Sequence, residues 1–237
     1  MSTYVLFFCI LALSLSSCSH KKRKLEPPLS AEAAFTRIYT LNGWGQGTMG
    51  ESTSGPGSLV CYAKPYMEFL QRFLEENRIQ SVVDIGCGDW EFSQHIDWNG
   101  IRYLGLDVVK QVIERNIQRF EKPETCTFVC ADVTAIDLPK ADLLLCKDVI
   151  HHLKNEDIFA LQNQLSKYKY CLITHDIINP FLNLKINKDI KQRGECRIID
   201  LTLPPFNLKG KKVLAYIADR GHMKEVLLID NSLHLSR

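Results

Sequence analysis

The sequence predicts an α/β fold: a doubly wound, mostly parallel seven-stranded sheet with an antiparallel C-terminal strand. Three observations carry this. Short apolar runs alternate with amphipathic, helix-like stretches between residues 65 and 177. Two of those runs, SVVDI and YLGLD, end at or beside an aspartate, and the first leads straight into the turn Gly86-Cys87-Gly88. Residues 211–217 and 226–229, joined by a Gly-containing link over 219–224, read as a terminal antiparallel pair.

Taken in order, residues 1–30 stand apart as a targeting or anchoring segment ending in Pro27-Pro28, and 31–237 form one domain. Residues 31–39 are expected to be a short helix. Residues 41–58 are rich in Gly and Ser, contain Pro56, and read as a loop. Loops of that length are often functional, so Trp44 and 54–58 are expected beside the reacting centre; the alternative is a linker. Residues 65–77 gather Met67, Phe69, Leu70, Phe73 and Leu74 on one helical face. The five parallel strands are expected at 81–85, 103–106, 127–130, 143–146 and 170–174. Helices are expected at 92–96, 110–120 and 155–166. No internal repeat is evident.

At 237 residues and 46% hydrophobic content, the chain suits one sizeable core. A net charge of +2 gives no electrostatic footprint for nucleic acid. The basic cluster His20-Lys21-Lys22-Arg23-Lys24 reads as a solvated tail. The cysteines number nine. Cys87, Cys130, Cys146 and Cys171 lie in or beside apolar runs and are expected to be buried thiols of a reducing compartment. Cys126 with Cys130, and the adjacent His151-His152, complete no metal-ligand spacing, so no metal site is expected.

Residues 4–15 are apolar, too few to span about 30 Å of hydrocarbon as a helix. Leu15-Ser16-Ser17-Cys18 resembles a bacterial lipoprotein cleavage box. Basic residues follow this run rather than precede it, which opposes export. The catalytic domain is therefore expected to face the cytoplasm, tethered to the membrane through residues 4–18. The alternative is an exported lipoprotein carrying lipid on Cys18.

The turn after the first strand identifies the ligand class. An acid about twenty residues beyond a glycine turn sits where ribose hydroxyls are gripped. The dinucleotide pattern G-x-G-x-x-G fails, because Glu91 holds the third position, and no G-x-x-x-x-G-K-[ST] loop occurs. Asp84-x-Gly86-x-Gly88 instead resembles motif I of the class I S-adenosylmethionine (SAM)-dependent methyltransferases, which have a Rossmann-like fold. Trp90 stands where that motif has a further glycine.

The likeness continues in family order over residues 41–230. It implies cofactor contacts from Asp84, Gly86, Cys87 and Gly88, with Asp84 supporting the cationic end. It implies Asp107 on the ribose with Val108 beside it, and Asp132 on the adenine amine with Val133 beside it. Lys147 and Asp148 stand at the mouth of the pocket, Lys147 as a contact to cofactor or acceptor. Asp107 is also a helix-cap candidate, and so is Asp132 ahead of Val133-Thr134. A tighter likeness is to a group of largely uncharacterised bacterial methyltransferase-domain proteins. It rests on Trp44-Gly45, Glu51-Ser52, Ser54-Gly55-x-Gly57-Ser58 and Leu203-Pro204-Pro205-Phe206.

The expected activity is methyl transfer from SAM to a small-molecule or macromolecular acceptor that the sequence does not identify. A base near the methyl would take the acceptor's proton, and Asp148, His151 and His152 are the catalytic candidates. Lys147-Asp148-Val149-Ile150 replaces the [DN]-P-P-[YFW] motif of enzymes acting on base amines, which argues against that chemistry. His175-Asp176 and 179–197 follow the fifth strand and are expected to shape the acceptor pocket. Competing readings are a membrane-tethered SAM- or nucleoside-binding module without catalysis, and a nicotinamide-dependent oxidoreductase.

Overall fold

The computed structural model describes residues 29–46, 53–177, 186–218 and 221–235. Expectations for the amino-terminal segment, for Glu51-Ser52, and for 178–185 lie outside the described residues.

Helix α1 (Ala31–Thr40) starts where Ser30 Oγ accepts the Ala33 N–H at 3.1 Å, a cap of the kind worth about 1 kcal/mol. Its spacing buries Ala31, Ala34, Phe35 and Tyr39 along one stripe. Helix α2 (Val60–Glu76) buries Ala63, Tyr66, Leu70, Phe73 and Leu74. It begins five residues before the expected start, so Pro65 lies inside it. The ring forfeits one backbone bond, but the helix keeps Ala63 and Tyr66 wholly buried on either side.

Strands β1 (Ser81–Ile85), β2 (Arg102–Asp107), β3 (Cys126–Cys130), β4 (Leu143–Lys147), β5 (Tyr170–Ile177), β6 (Lys211–Ile217) and β7 (Met223–Asp230) form one sheet in the order β3-β2-β1-β4-β5-β7-β6. The first five pair in parallel, and β7 runs antiparallel to both β5 and β6. The expected sheet is therefore present. Alternation along each strand sends side chains to opposite faces. Val82, Leu143 and Leu145 join α2 in one core, whereas Val83, Leu144 and Cys146 join α1 and helix α4 (Asn155–Gln162) in the other. Helix α3 (Lys110–Phe120) contributes Val112 to the second core and Ile113 to the first. The strand order reverses between β1 and β4, and a crevice opens beyond their carboxyl ends.

Four further local expectations are corrected. The helix expected at 92–96 is a single 3-10 turn, Ser93–His95. The N–H of Asp97, which a helix would direct to the Ser93 carbonyl, bonds Gln71 Oε1 at 3.0 Å, while Trp98 Nε1 takes that carbonyl at 2.8 Å. The helix expected to run to 166 stops at Gln162, followed by a separate 3-10 turn, Leu165–Lys167. Cys130 is exposed rather than buried, because it ends the edge strand β3. Strand β7 also starts earlier than expected, which places Lys224 within the sheet.

Candidate functional site

A cavity of about 230 Å³ opens at the crevice. Its floor is the turn after β1. Gly86 and Gly88 have φ of 69° and 56°, a region that costs other residues roughly 1–2 kcal/mol. A Cβ on Gly86 would lie 2.3 Å from Val149 Cγ2, and one on Gly88 would lie 2.3 Å from Ser54 Oγ. The N–H groups of Gly86 and Cys87 donate to the Leu106 carbonyl at 2.7 and 3.0 Å, which stitches the turn to β2. Trp90 also stands at positive φ, 59°, where the resembled motif has glycine. Its ring is packed among Tyr103, Phe120 and Phe128.

Asp107 Oδ2 accepts the Gly88 N–H at 3.1 Å, and Oδ1 accepts the Val109 N–H at 2.9 Å. It thus caps the approach to α3 and faces the cavity at the same time. Burial pushes its carboxyl up against these backbone bonds. Asp132 Oδ1 accepts from both the amide and the hydroxyl of Thr134, at 3.0 and 2.6 Å. No helix follows it, so the carboxylate closes a turn rather than capping a helix. Gly86, Cys87, Gly88, Asp107, Val108, Asp132, Val133 and Lys147 all line this one cavity.

Asp84 is absent from its lining. It sits beneath the turn and accepts the Tyr103 hydroxyl at 2.6 Å. Burial pushes its carboxyl up to about 7, against the pull of Tyr103 and Lys147.

The opposite wall brings together Trp44, Lys147, Asp148, His151, His152 and Lys224. Asp148 stands at φ 60° with its N–H on the Thr174 carbonyl. Lys147 Nζ donates to Asp148 Oδ2 at 2.6 Å and to the Gly57 carbonyl at 2.8 Å. Lys224 Nζ bridges Asp148 Oδ1 at 2.8 Å and Asp176 Oδ1 at 2.7 Å. Burial would raise the Asp148 carboxyl, but the two ammonium groups outweigh it and hold it well below the usual range. Asp148 is thus the hinge of an ion network with both oxygens engaged.

His151 and His152 follow on the 3-10 turn Ile150–His152, their ring centroids 4.1 Å apart. Burial holds both imidazoles below their ordinary pKa, with His152 adding to the effect on His151. Both are therefore neutral near pH 7 and keep a lone pair available. Trp44 lies against His152 at 5.1 Å.

The expected loop residues do reach the site. Trp44 and 54–58 line the cavity, and α1 adds Ala31, Phe35 and Tyr39. Ser54 and Asp89 exchange bonds, Ser54 N–H to Asp89 Oδ2 at 2.8 Å and Asp89 N–H to Ser54 Oγ at 2.7 Å. Tyr39 Oη adds a contact to Ser54 Oγ at 2.7 Å. Sequence reasoning missed Lys224, Tyr39 and Asp89. The register of β5 and β7 sets Asp176 opposite Lys224, a signal legible only once the hairpin boundary is known. His175 is buried on β5 away from the cavity. Phe206 of the Pro-Pro-Phe loop packs on Phe159 as structure.

The donor set fits an adenosyl ligand. Asp107 and Asp132 offer carboxylates to hydroxyls and an amine, and Val108 and Val133 flank them with apolar surface. Lys147 and Lys224, the wall's cations, are spent on carboxylates and the Gly57 carbonyl, so no cationic cradle for a pyrophosphate remains there.

Residues 83–163 match the family model described as a methyltransferase domain. No curated protein matches the chain. Among solved structures, magnesium protoporphyrin IX methyltransferase from Synechocystis PCC 6803 with bound SAM is similar, at a TM-score of 0.58 and 12% identity over 86% of this chain and 98% of that one. The methyltransferase domain of bacterial CtHen1 gives a TM-score of 0.52 and 14% identity over 71% of this chain and 98% of that one. At these identities the likeness is one of fold.

Proposed function

We propose that the chain is a class I SAM-dependent methyltransferase, a reading supported by the match of residues 83–163 to a methyltransferase-domain model, and that its cavity is divided as follows. The adenosyl part lies over Gly86–Gly88, with Asp107 accepting from the ribose hydroxyls and Asp132 from the adenine amine. Val108 and Val133 cover the base, and Cys87 closes the floor. The methyl points toward the wall of Trp44, His151 and His152, where the acceptor binds. One observation carries this reading: a single cavity joins the carboxylate wall of β2 and β3 to the imidazole wall after β4.

Within that scheme Asp84 acts from below, as a buried carboxyl beneath the turn rather than a contact. Lys147 and Asp148 hold the loop at Gly57 and the strand β7 together, and neither serves as the base. Removal of the acceptor's proton falls to the imidazoles of His151 and His152, or to a group they hold. Transfer is an in-line displacement, so alignment and exclusion of water account for most of the rate. The buried wall around Trp44 and Tyr39 supplies both.

Calorimetry with SAM, S-adenosylhomocysteine and NAD tests the cofactor assignment, with Asp107→Ala as the control. Binding of NAD alone would sink it. Incubating lysate fractions with methyl-labelled SAM then finds the acceptor; tight SAM binding with no acceptor labelled in any fraction would favour a binding module without catalysis.

We also keep as a proposal that residues 1–30 tether the domain on the cytoplasmic side of a bacterial membrane. The reasoning is the apolar run at 4–15 followed by basic residues. Among the described residues no helix is long and apolar enough to cross a membrane. Metabolic labelling with a fatty acid, lost in Cys18→Ala, would reveal an exported lipoprotein instead.

A further inference from the structure

Beside the imidazole wall lies a third metal-competent side chain that no sequence spacing announces. Ligand atoms of His151, His152 and Cys196 all lie within 4.8 Å of one another. The loop bearing Cys196 is pinned to the turn bearing the histidines on both sides. The Gly194 N–H donates to the His152 carbonyl at 2.9 Å. Arg197 donates to the Leu153 carbonyl at 2.7 Å and to Asn155 Oδ1 at 2.6 Å. These bonds make the proximity a built feature rather than the drift of an exposed cysteine.

Two independent details point to a cation. His151 is 3% exposed, and its Nδ1 is buried with no hydrogen-bond partner, an uncompensated cost that a bond to a metal would remove. The Nδ1 of His152 faces the Glu195 carbonyl at 3.3 Å. Metal-ligating histidines characteristically donate their other ring N–H to such a carbonyl, which fixes the tautomer. The nearby Lys224 charge is already balanced by Asp148 and Asp176.

We propose that His151, His152 and Cys196 bind a zinc ion whose fourth position opens into the acceptor end of the cavity. Two imidazoles and a thiolate are a borderline-soft donor set that suits zinc better than magnesium or calcium. Three protein ligands leave a coordination position free, as in catalytic rather than structural zinc sites. Zinc ligands sit about 3.5 Å apart in a tetrahedron, so modest rotations of the side chains complete the shell. His151 and His152 line the cavity and Cys196 stands outside it, so the ion would sit at the rim of the acceptor end, within reach of an acceptor bound there.

Resting on the methyl-transfer reading, this names the acceptor class as a thiol or hydroxyl. On coordination its proton leaves to solvent. The anion's lone pair then forms the bond to the methyl carbon, and the methyl–sulfonium bond breaks with its electron pair retained on sulfur. The imidazoles act as ligands in this scheme and not as bases.

The test uses the full chain, stripped with chelator and titrated with zinc against a chromophoric competitor, with calorimetric SAM binding measured separately. One zinc per chain is expected, with affinity falling at least tenfold in Cys196→Ser and in His152→Gln, and with SAM affinity staying within twofold in Cys196→Ser, whose side chain lies outside the cavity lining. Cobalt substitution should give a thiolate charge-transfer band that vanishes in Cys196→Ser. Zinc should also slow alkylation of Cys196 at least tenfold, read by peptide mass spectrometry on the unaltered chain. SAM binding without zinc binding, or zinc retained by Cys196→Ser with Cys196 unprotected, would overturn the site alone. Zinc bound at Cys196 without any SAM binding would uphold the site and overturn the methyl-transfer reading.

Discussion

The cofactor end of the cavity and the acceptor end are assembled by different means. At the first, the turn after β1 is held by two main-chain bonds to the Leu106 carbonyl and by hydrogen bonds with Asp107, Asn116 and Ser54, with no chain of ion pairs among them. At the second, side chains from the β4 tip, β5, β7 and the loop at Gly57 meet in a chain of ion pairs through Lys147, Asp148, Lys224 and Asp176. Backbone-defined geometry tolerates side-chain change except where a Cβ intrudes. A side-chain network fails wherever one charge is removed. The two ends should therefore respond to mutation in distinguishable ways.

The largest effect is expected at the turn. Gly88→Val forces a β-branched residue to φ 56° and drives its Cβ into Ser54, whose Cβ is also only 2.9 Å from the added atom. SAM affinity should fall more than 100-fold by calorimetry, with the far-ultraviolet circular dichroism of the sheet retained. Binding within tenfold of the parent would show that the loop at Ser54 yields freely and that the turn is no rigid floor.

Lys224→Met tests the other end. It leaves Asp176 without its ammonium partner and Asp148 with Lys147 alone. Breaking a buried pair from one side costs about 3 kcal/mol, to be read in chemical denaturation. SAM affinity should stay within threefold, since no bond of the Gly86–Gly88 turn runs to Lys224. A tenfold loss of SAM affinity would mean the ends are one mechanical unit.

This contrast also explains what was legible in the sequence. The turn, its two glycines, Asp107 and Asp132 fall in chain order at successive strand ends, and a local pattern sufficed to place them along one cavity. All five parallel strands were visible because each is an apolar run of strand length. The apolar run begins at Val226, which leaves Lys224 in the link, whereas pairing with β5 extends β7 to Met223. Cys196 falls within residues 179–197, expected near the acceptor, but its place beside His152 depends on the Arg197, Gly194 and Glu195 contacts, which no sequence pattern shows. Trp90 shows the converse: a motif glycine can be replaced when an aromatic pocket stabilises the strained residue.

Asp84 lies beneath both ends, and its titration measures how they are coupled. Its carboxyl is pushed from an ordinary 3.8 up to about 7 by burial. The native state therefore binds the proton more tightly than the unfolded chain. The associated stabilisation is complete below about pH 4 and is lost as pH rises toward 7. Between pH 5 and pH 8 the parent should lose about 2–3 kcal/mol more stability than Asp84→Asn, measured by urea denaturation at both values. Parallel pH profiles for the two proteins would place Asp84 in an ordinary, hydrated setting and remove it as a link between the walls.

The smallest expected effect concerns the strap that spans the two ends. Ser54 Oγ receives the Asp89 N–H and contacts Tyr39 Oη, so Ser54→Ala frees a donor on the turn and a hydroxyl on α1. Each such bond contributes about 1 kcal/mol net, and SAM affinity should weaken about fivefold. Tyr39→Phe should weaken it less, because the Ser54–Asp89 exchange survives. If the double variant is no worse than Ser54→Ala alone, Tyr39 acts only through Ser54, and α1 belongs to the cofactor wall. Full additivity would mean that α1 reaches the ligand independently, and the cofactor end would then owe as much to side chains as the acceptor end does.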